Sequence, residues 1–467
     1  MITADVPQVS AEAEAAEAVA RVLAELAGCG SPHGLARRGE VAGPDERSLD
    51  CPRGVVVDSP PGAGKSTLVV RAAVDLATAG EPVMVVAQTN GQIDDLVDRL
   101  ALAVPGLAVG RLSAQDYMPT PRVARHATVS VAQKVRDLAD CPVVVGTAAK
   151  WATVREGKWP WAVIDEAYQM RSDMLLRIAG RFERALFVGD PGQLDPFSTV
   201  EIERWLGLTW DPMQSAVAAL LRNNPDIPVR RLPVSWRLPA TAVPVIAEAF
   251  YPFTGFRSGT APGQRRLEFA TRGFSAWSAD EPIETAAASG WALYELPARQ
   301  TVRTDAEAVV ACAALAERIL QRGPISYSER APEGEPVTPG RIAIGTAHRD
   351  QAQAIRSQLG PLSSEGVTVD TANRLQGREF DVVIVLHPLS GRVDATAFHL
   401  ESGRLCVLTS RHRHACIVVA RAGIPELLDA HPSTEPVHLG VSAKFPDGWE
   451  ANQSMMSHLA NWRVPAL

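Results

Sequence analysis

Short runs of β-branched and other apolar residues recur along the chain after residue 52, separated by stretches that carry apolar residues at helical spacing. In the first half these runs are Val55–Val57, Val83–Val86, Val143–Val145, Ala162–Ile164 and Ala185–Val188. They are apolar without alternation, which is typical of parallel strands covered by helices on both faces of a sheet. The pattern predicts a doubly wound α/β domain.

A second series of apolar runs follows a region punctuated by proline. Its members, each predicted to be a strand, are Ile342–Ile344, Val367–Val369, Val382–Leu386, Leu405–Leu408 and Ile417–Val419. We therefore expect two parallel-sheet α/β domains. The expected divisions are a first domain at 1–230 with a small accessory element at about 101–140, a second domain at 231–435, and a C-terminal tail at 436–467.

Helical spacing also predicts two helices outside the strand runs. One covers Ala11–Leu26, and the other covers 305–320, where Thr304 and Glu307 have the spacing of a capping box. The stretches 257–300 and 327–340 have the composition of irregular connections, so we expect no regular elements there.

Composition narrows the class of protein. The chain has 467 residues, 46% of them hydrophobic, and a formal net charge of −7. Its apolar stretches fall short of the roughly 20 residues that a bilayer requires, and the amino terminus has no secretion-signal pattern, so we expect no membrane contact and a cytoplasmic location. The six cysteines lack the paired spacing of structural zinc, which we do not expect. Because the net charge would repel a polyanion, nucleic acid would have to bind in a local groove.

The strongest local signal is a strand, a glycine-bearing turn and a helix in succession. The turn is Ser59-Pro60-Pro61-Gly62-Ala63-Gly64-Lys65-Ser66-Thr67. A triphosphate needs inward-pointing backbone amides, a cation at its β and γ phosphates, and a hydroxyl for Mg²⁺. Gly62 and Gly64 permit the turn, Lys65 is the cation and Ser66 the hydroxyl, although Ser59 stands where such loops have their first glycine. We predict that residues 59–67 bind ATP and that Ser66 holds Mg²⁺.

A pair of adjacent acids follows another predicted strand. Asp165 can hold Mg²⁺, and Glu166 can orient or deprotonate the attacking water. Adjacent acids at a strand end also occur as solvated caps. Together with the phosphate loop, however, they indicate a nucleoside triphosphatase.

The order of these and later motifs resembles that of the superfamily 1 helicases, and within them the branch of the eukaryotic nonsense-mediated-decay helicase, whose second motif reads D-E-A-x-Q. Here that motif is residues 165–169. Residues 189–194 are similar to the third motif, G-D-x-x-Q-L, which implies that Gln193 senses the γ-phosphate. The segment around Trp236 and Arg237 is similar to the Q-Y-R-M motif, which implies base stacking by the tryptophan and a γ-phosphate contact by the arginine.

The resemblance continues in order through the second half. Thr346 and His348 lie in a stretch similar to I-x-V-I-T-P-Y-x-x-Q, with histidine in place of the usual tyrosine. The stretch that ends at Gly377 and Glu379 resembles T-V-D-x-F-Q-G-x-E, which implies nucleotide contacts for both. The segment leading to Arg411 aligns without a gap on R-L-N-V-A-L-T-R-A-R, which makes that residue a second arginine finger.

The resemblance implies two RecA-like domains with an ATP cleft between them. The phosphate loop, the acids and Gln193 come from one half, and the two arginines come from the other, so hydrolysis should require the halves to close on ATP. The resemblance also implies that strand-end residues hold a single-stranded nucleic acid; these are Thr89, Asn90, Thr147, Thr346, His348 and Thr371. Trp151, Trp159 and Trp161 either stack on bases or pack in the core.

We therefore expect an ATP- and Mg²⁺-dependent helicase or translocase acting on single-stranded DNA or RNA without sequence preference, and by resemblance moving 5′ to 3′. The alternative is a regulatory ATPase switch that controls a partner protein with little or no unwinding. A P-loop kinase would not explain Gln193, Arg237 and Arg411.

Overall fold

The computed structural model describes residues 53–196, 211, 214–271, 279–302, 304–432 and 446–466. Two large parallel sheets form the centres of two α/β domains in these residues, as the two series of apolar runs predicted. The helix expected over Ala11–Leu26 lies outside the described residues. Within the described parts of the chain, no helix combines the length and apolar content needed to cross a bilayer.

Eight parallel strands from the described residues form the first sheet. They are β1 (Gly54–Asp58), β2 (Val83–Ala87), β3 (Val109–Leu112), β4 (Val129–Ala132), β5 (Val143–Thr147), β6 (Trp159–Ile164), β7 (Phe182–Gly189) and β8 (Val229–Arg231). Their spatial order is β4-β3-β5-β2-β6-β7-β1-β8. The helices of this half are α1 (Lys65–Thr78), α2 (Asn90–Ala103), α3 (Pro121–Ala124), α4 (Ala148–Trp151), α5 (Ser172–Ile178) and α6 (Ala216–Asn223).

The central strands are apolar throughout because helices cover both faces of the sheet. Val55 and Val57 pack into one hydrophobic core, whereas Val56 packs into the other, since successive side chains of a strand point to opposite faces. The segment 101–140 forms the end of α2, the edge strand β4, its neighbour β3 and the four-residue helix α3. It therefore extends the first sheet at its edge.

The second half contains another parallel sheet and a small antiparallel one. Its strands are β9 (Val234–Ser235), β10 (Arg257–Ser258), β11 (Arg266–Phe269), β12 (Trp291–Leu296), β13 (Pro324–Ser328), β14 (Ala331–Pro336), β15 (Ile342–Thr346), β16 (Thr368–Thr371), β17 (Phe380–Leu386), β18 (His412–Arg421) and β19 (Arg463–Pro465). The large sheet has the order β16-β15-β17-β18-β12-β19, and β11, β13 and β14 form the antiparallel sheet.

Ten helices of the described residues complete this half. They are α7 (Val243–Phe250), α8 (Asp280–Ser289), α9 (Ala306–Gln321), α10 (Arg349–Leu359), α11 (Pro361–Ser364), α12 (Ala372–Leu375), α13 (Ala397–Leu400), α14 (Ser402–Thr409), α15 (Ile424–Ala430) and α16 (Gly448–Leu459).

Two local predictions in this half were wrong. The run Leu405–Leu408 belongs to α14, in which every residue is buried; a short run that is apolar on all sides does not distinguish a buried helix from a buried strand. Helix α9 is capped by Asp305 instead of Thr304, because the Asp305 carboxylate accepts hydrogen bonds from the backbone N–H groups of Glu307 and Ala308.

The stretches expected to be irregular contain regular elements. Strand β12 lies between β18 and β19 in the large sheet. It was missed because Gly290, at φ 85°, joins α8 to it directly, without a polar loop to mark its start. Residues 324–336 form the β13–β14 hairpin. The segment expected as a tail contributes α16 and the edge strand β19 to the second domain.

Candidate active site

The phosphate loop joins β1 to α1 and lies directly against the second half of the chain. Gly62 and Gly64 have φ values of 74° and 90°, which glycine adopts at little cost. A Cβ at Gly62 would lie 2.2 Å from the Cβ of Arg237, whereas nothing lies within 4 Å of the same position at Gly64. The backbone N–H of Trp236 also donates to Gly62 O at 3.0 Å. The loop is therefore covered by Arg237 at one point and open where α1 begins.

Lys65 is held by a buried carboxylate. Its Nζ lies 3.3 Å from Asp190 Oδ2 and 3.4 Å from Ser59 O. Asp190 is 1% exposed. Its oxygens also accept hydrogen bonds from Gln193 Nε2 and, at 2.6 Å, from Tyr251 Oη. A phosphate that reaches this lysine would share it with Asp190.

The same cluster connects the two halves. Tyr251 follows α7 of the second half, and its hydroxyl reaches Asp190 of the first. Gln376 Nε2 donates to Gln193 Oε1 at 2.8 Å. A Cβ at Gly403 would lie 2.5 Å from the Gln193 backbone, so α14 also packs closely against it. Gln193 is therefore in direct contact with the second half.

The two acids lie at the carboxyl end of β6 and are both buried. The backbone N–H of Glu166 donates to Asp165 Oδ1 at 3.0 Å, and Gln169 Nε2 donates to Glu166 Oε2 at 3.0 Å. Among the described residues, Glu166 alone of the non-glycine residues has positive φ, at 49°. Such a conformation costs of order 1 kcal/mol or more and persists where surrounding contacts hold it.

The electrostatics of the two acids fit a divalent cation. Burial and the negative charge of Glu166 raise the pKa of Asp165, while Lys65 acts in the opposite direction. A cation beside two buried carboxyl groups relieves that repulsion, and Mg²⁺ is usually held by one or two carboxylates together with substrate phosphates. Ser66 and Asp165 would hold Mg²⁺, and Lys65 with the loop amides would hold the triphosphate. Mg²⁺ held by these residues would supply positive charge that offsets the negative charge of the phosphates.

We expect affinity for Mg²⁺·ADP to fall as the pH falls below neutrality. Because the pKa of Asp165 is raised by burial and by Glu166, a proton competes with the metal at this carboxylate. Calorimetry in two buffers of different ionisation enthalpy should detect proton release on binding at about pH 6.5. Asp165→Asn should bind more weakly and release fewer protons. Equal proton release by the two proteins would contradict this prediction.

Arg237 lies over the phosphate loop within a network of charges. Its Nε is 3.3 Å from Glu379 Oε2, and Arg413 Nη1 is 3.3 Å from Glu379 Oε1. Burial alone would raise the pKa of Glu379, but the two arginines hold it below its ordinary value. Among the described residues, the buried Nη1 of Arg237 has no hydrogen-bond partner.

Arg411 is buried in its own domain. Its Nε donates to Val407 O at 3.0 Å, and its Nη2 donates to Ser410 Oγ at 2.9 Å. Burial and the positive charge of Arg237 lower the pKa of Arg411 to about 10, while Asp190 acts in the opposite direction. The side chain is thus within electrostatic range of both the first arginine and the Lys65 cluster, but it is bonded to the end of α14.

Most residues expected to contact nucleic acid lie where a strand ends and a helix begins. Thr89, Thr147, His348 and Thr371 immediately precede α2, α4, α10 and α12, respectively. Backbone N–H groups at such positions suit a phosphate. The hydroxyls of Thr89 and Thr147 accept hydrogen bonds from Gln92 N and Lys150 N.

The remaining residues of that set are occupied by contacts within the protein. Thr346 is fully buried, and its hydroxyl donates to His348 O at 3.0 Å. The side-chain oxygen of Asn90 accepts a hydrogen bond from Arg111 at 3.0 Å. The His348 ring stacks on Phe398, with ring centroids 5.0 Å apart. In this conformation the Thr346 side chain is not presented to a bound strand, whereas Asn90 is exposed.

The three tryptophans near β6 belong to the core. Trp151, Trp159 and Trp161 are buried, and Trp151 Nε1 donates to Val85 O at 3.1 Å. Of the two alternatives given for these tryptophans, packing in the core is therefore confirmed.

Sequence analysis left Asp190, Tyr251 and Gln376 out of the candidate site. Asp190 lies inside the third motif and Gln376 inside the stretch that ends at Glu379, whereas Tyr251 lies outside the motifs described above. Tyr251 is hydrogen-bonded to Asp190, 61 positions away, and Gln376 to Gln193, 183 positions away. Local sequence pattern does not reveal such pairs.

Two stretches of the chain match models described as an AAA domain, at residues 49–207 and 290–423. The chain is 22% identical over 370 residues to the DNA replication ATP-dependent helicase/nuclease DNA2 of Gallus gallus, an alignment that covers 77% of this chain and 34% of that protein. The chain thus spans about a third of the length of this relative.

Solved structures of a viral helicase are also similar in part. A complex of Arterivirus nonstructural protein 10 (helicase) with DNA is 15% identical with a TM-score of 0.40, covering 79% of this chain and 60% of that one. A crystal structure of the same viral protein is 16% identical with a TM-score of 0.42, covering 81% and 62%. The chain is thus similar to AAA-domain models over two separate stretches and, over 77% of its length, to an ATP-dependent helicase/nuclease.

Proposed function

We propose that this protein is an ATP-driven motor that moves along single-stranded nucleic acid without sequence preference. The observation that carries the proposal is the cluster around Asp190, which bonds Lys65 of the phosphate loop, the γ-phosphate sensor candidate Gln193, and Tyr251 of the second half. A change of charge at the phosphates would therefore alter the interactions of residues from both halves of the chain. Movement 5′ to 3′, and membership of the nonsense-mediated-decay helicase branch, are proposed from the D-E-A-x-Q motif alone.

The chemistry of the site supports ATP hydrolysis by positioning and charge. Lys65 and the loop amides bind the phosphates, Ser66 and Asp165 hold Mg²⁺, and Glu166 orients or deprotonates water. Arg237 adds positive charge from the second half. Because the two halves contribute different parts, ATP binding favours closing of the cleft and phosphate release favours its opening, and a strand held by both halves is moved.

Nucleic-acid contacts in this proposal come from backbone groups and hydroxyls at strand ends. Such contacts fix the phosphate backbone and read no bases, so we propose binding to single-stranded DNA or RNA alike. The described cysteines Cys141, Cys312, Cys406 and Cys416 are buried free thiols, which suits the cytoplasmic location that we propose.

The test is ATP turnover with single-stranded DNA, single-stranded RNA and no nucleic acid, measured side by side. A many-fold rise with either oligonucleotide supports the motor. Binding should also weaken with salt, by about 0.7 in log K per phosphate contact for each decade of salt. An unchanged rate, combined with Lys65-dependent binding of a protein partner, would support the regulatory switch.

Glu166→Gln is expected to bind ATP but to hydrolyse it about 10²- to 10⁴-fold more slowly, because the amide cannot accept a proton from water. The substitution keeps the size of the side chain and can preserve the hydrogen bond to Gln169. Single-turnover hydrolysis and nucleotide binding should be measured on the same preparation. Normal hydrolysis would mean that the base lies elsewhere.

A further inference from the structure

The β13–β14 hairpin brings an acidic residue to the cleft from outside both parallel sheets. Glu329 and Arg330 connect the two strands, and β11 completes a three-stranded antiparallel sheet with them. Turn residue Glu329 pairs with Arg265, and Arg265 contacts the segment that carries Trp236 and Arg237.

The first contact runs through Arg265. Its Nε lies 3.0 Å from Glu329 Oε2, and its Nη2 lies 2.6 Å from Glu329 Oε1, which is a two-point pairing. The Arg265 side chain is 1% exposed and that of Glu329 is 12% exposed. The same guanidinium donates to the backbone carbonyls of Trp236, at 2.7 Å, and Arg237. Arg265 therefore fixes the backbone at both residues, and Glu329 fixes Arg265.

The second contact runs through side chains. Arg413 Nη2 lies 3.7 Å from Glu329 Oε1, and its Nη1 lies 3.3 Å from Glu379 Oε1. Glu379 in turn pairs with the Nε of Arg237 at 3.3 Å. Charges of opposite sign thus alternate from the hairpin turn to the candidate arginine finger. Glu329 is the one acid that contacts both Arg265 and Arg413 in this described network.

Arginines and acids alternate in this network. Arg237, Arg265 and Arg413 bring three positive charges close together, and the acids between them offset their repulsion. Burial alone would raise the pKa of Glu329, but its hydrogen bonds with Arg265 hold it below the ordinary value. Paired in this way, Arg237 keeps one guanidinium nitrogen buried, and no group in the described part of the chain hydrogen-bonds to it.

We propose that Glu329 is a positioning residue for ATP hydrolysis, which sets the orientation of Arg237 through Arg265 and Arg413. The inference rests on the proposed function, since it assumes that Arg237 acts on the nucleotide. Glu329 itself does not reach the phosphate loop. Its effect should therefore fall on turnover and should disappear when Arg237 is absent.

The experiment is a double-mutant cycle on nucleic-acid-stimulated ATPase activity with Glu329→Gln and Arg237→Ala. Misplacement of a catalytic group by about 1 Å costs up to about 10²-fold in rate, so Glu329→Gln should lower kcat by about 10- to 100-fold with little change in KM. In the Arg237→Ala background the same substitution should change kcat by less than about 2-fold, because its route to the nucleotide is gone.

Two further variants separate positioning from folding. Glu335→Gln removes an ion pair of the same hairpin with Arg341, whose contact is at 3.0 Å, and should leave kcat unchanged. Arg265→Lys keeps the charge but loses the forked geometry, and should reproduce the loss of kcat. All variants should be compared by thermal unfolding, so that a loss of structure is seen separately.

Two results would overturn the inference. One is a kcat for Glu329→Gln within about 2-fold of wild type. The other is a loss of kcat in the Arg237→Ala background as large as the loss in the wild-type background, which would indicate a general structural role. A wild-type protein with ATPase activity would leave the proposed function standing in both cases. Absence of ATP turnover in the wild type would instead remove the proposed function, and the positioning role with it.

Discussion

Lys65→Ala is expected to lower ATP turnover by about 10³-fold, and nucleotide affinity with it, because the lysine is the cation that the phosphate loop offers to the triphosphate. In the structure it lies between Ser59 O and Asp190 Oδ2. Alanine would leave the buried Asp190 carboxylate with no cation at this point. Phosphate release and binding of a fluorescent nucleotide should be measured together.

The fold should survive this substitution. Asp190 still accepts hydrogen bonds from Gln193, Tyr251 and the backbone N–H of Gly192, so its desolvation remains offset. Lys158→Ala, which removes an exposed lysine just before β6, is the matched control and should behave as wild type. Full turnover by Lys65→Ala would remove the phosphate-loop assignment.

Sequence pattern predicted the parts of the fold that follow from local chemistry. The strands β1, β2, β5, β15 and β17 all contain predicted apolar runs, because a strand buried on both faces must be apolar at every position. The strand, glycine-bearing turn and helix at residues 54–78 were also predicted, and Gly62 and Gly64 of the turn adopt φ values that other residues avoid.

Other features depend on contacts between distant parts of the chain. Leu405–Leu408 lies in α14, which is buried on all sides in the core of the second domain, and a short apolar run does not by itself reveal that environment. The pairing of Arg265 with Glu329 spans 64 positions. Nothing in the local sequence of the hairpin turn indicates that partner.

The placement of Arg411 suggests how nucleotide could act on it. Its guanidinium is fully buried and bonded to Val407 O and Ser410 Oγ, both neutral groups. Among the described residues, no carboxylate forms an ion pair with it. Burial and Arg237 lower its pKa to about 10, so it stays charged at neutral pH. A buried charge with neutral partners is costly, and the phosphates of ATP would attract it.

Arg411→Ala is therefore expected to lower kcat by about 10³- to 10⁵-fold with only a small change in nucleotide affinity. At 1.36 kcal/mol per decade, this corresponds to about 4 to 7 kcal/mol of transition-state stabilisation. Arg411→Lys should not restore the rate, because a lysine cannot reproduce the planar, forked donor geometry. Nucleotide affinity and thermal unfolding, measured on the same preparations, separate a lost finger from a lost fold. Equal losses in rate and affinity would contradict the finger role. They would indicate that Arg411 stabilises bound ATP before the reaction as much as it stabilises the transition state.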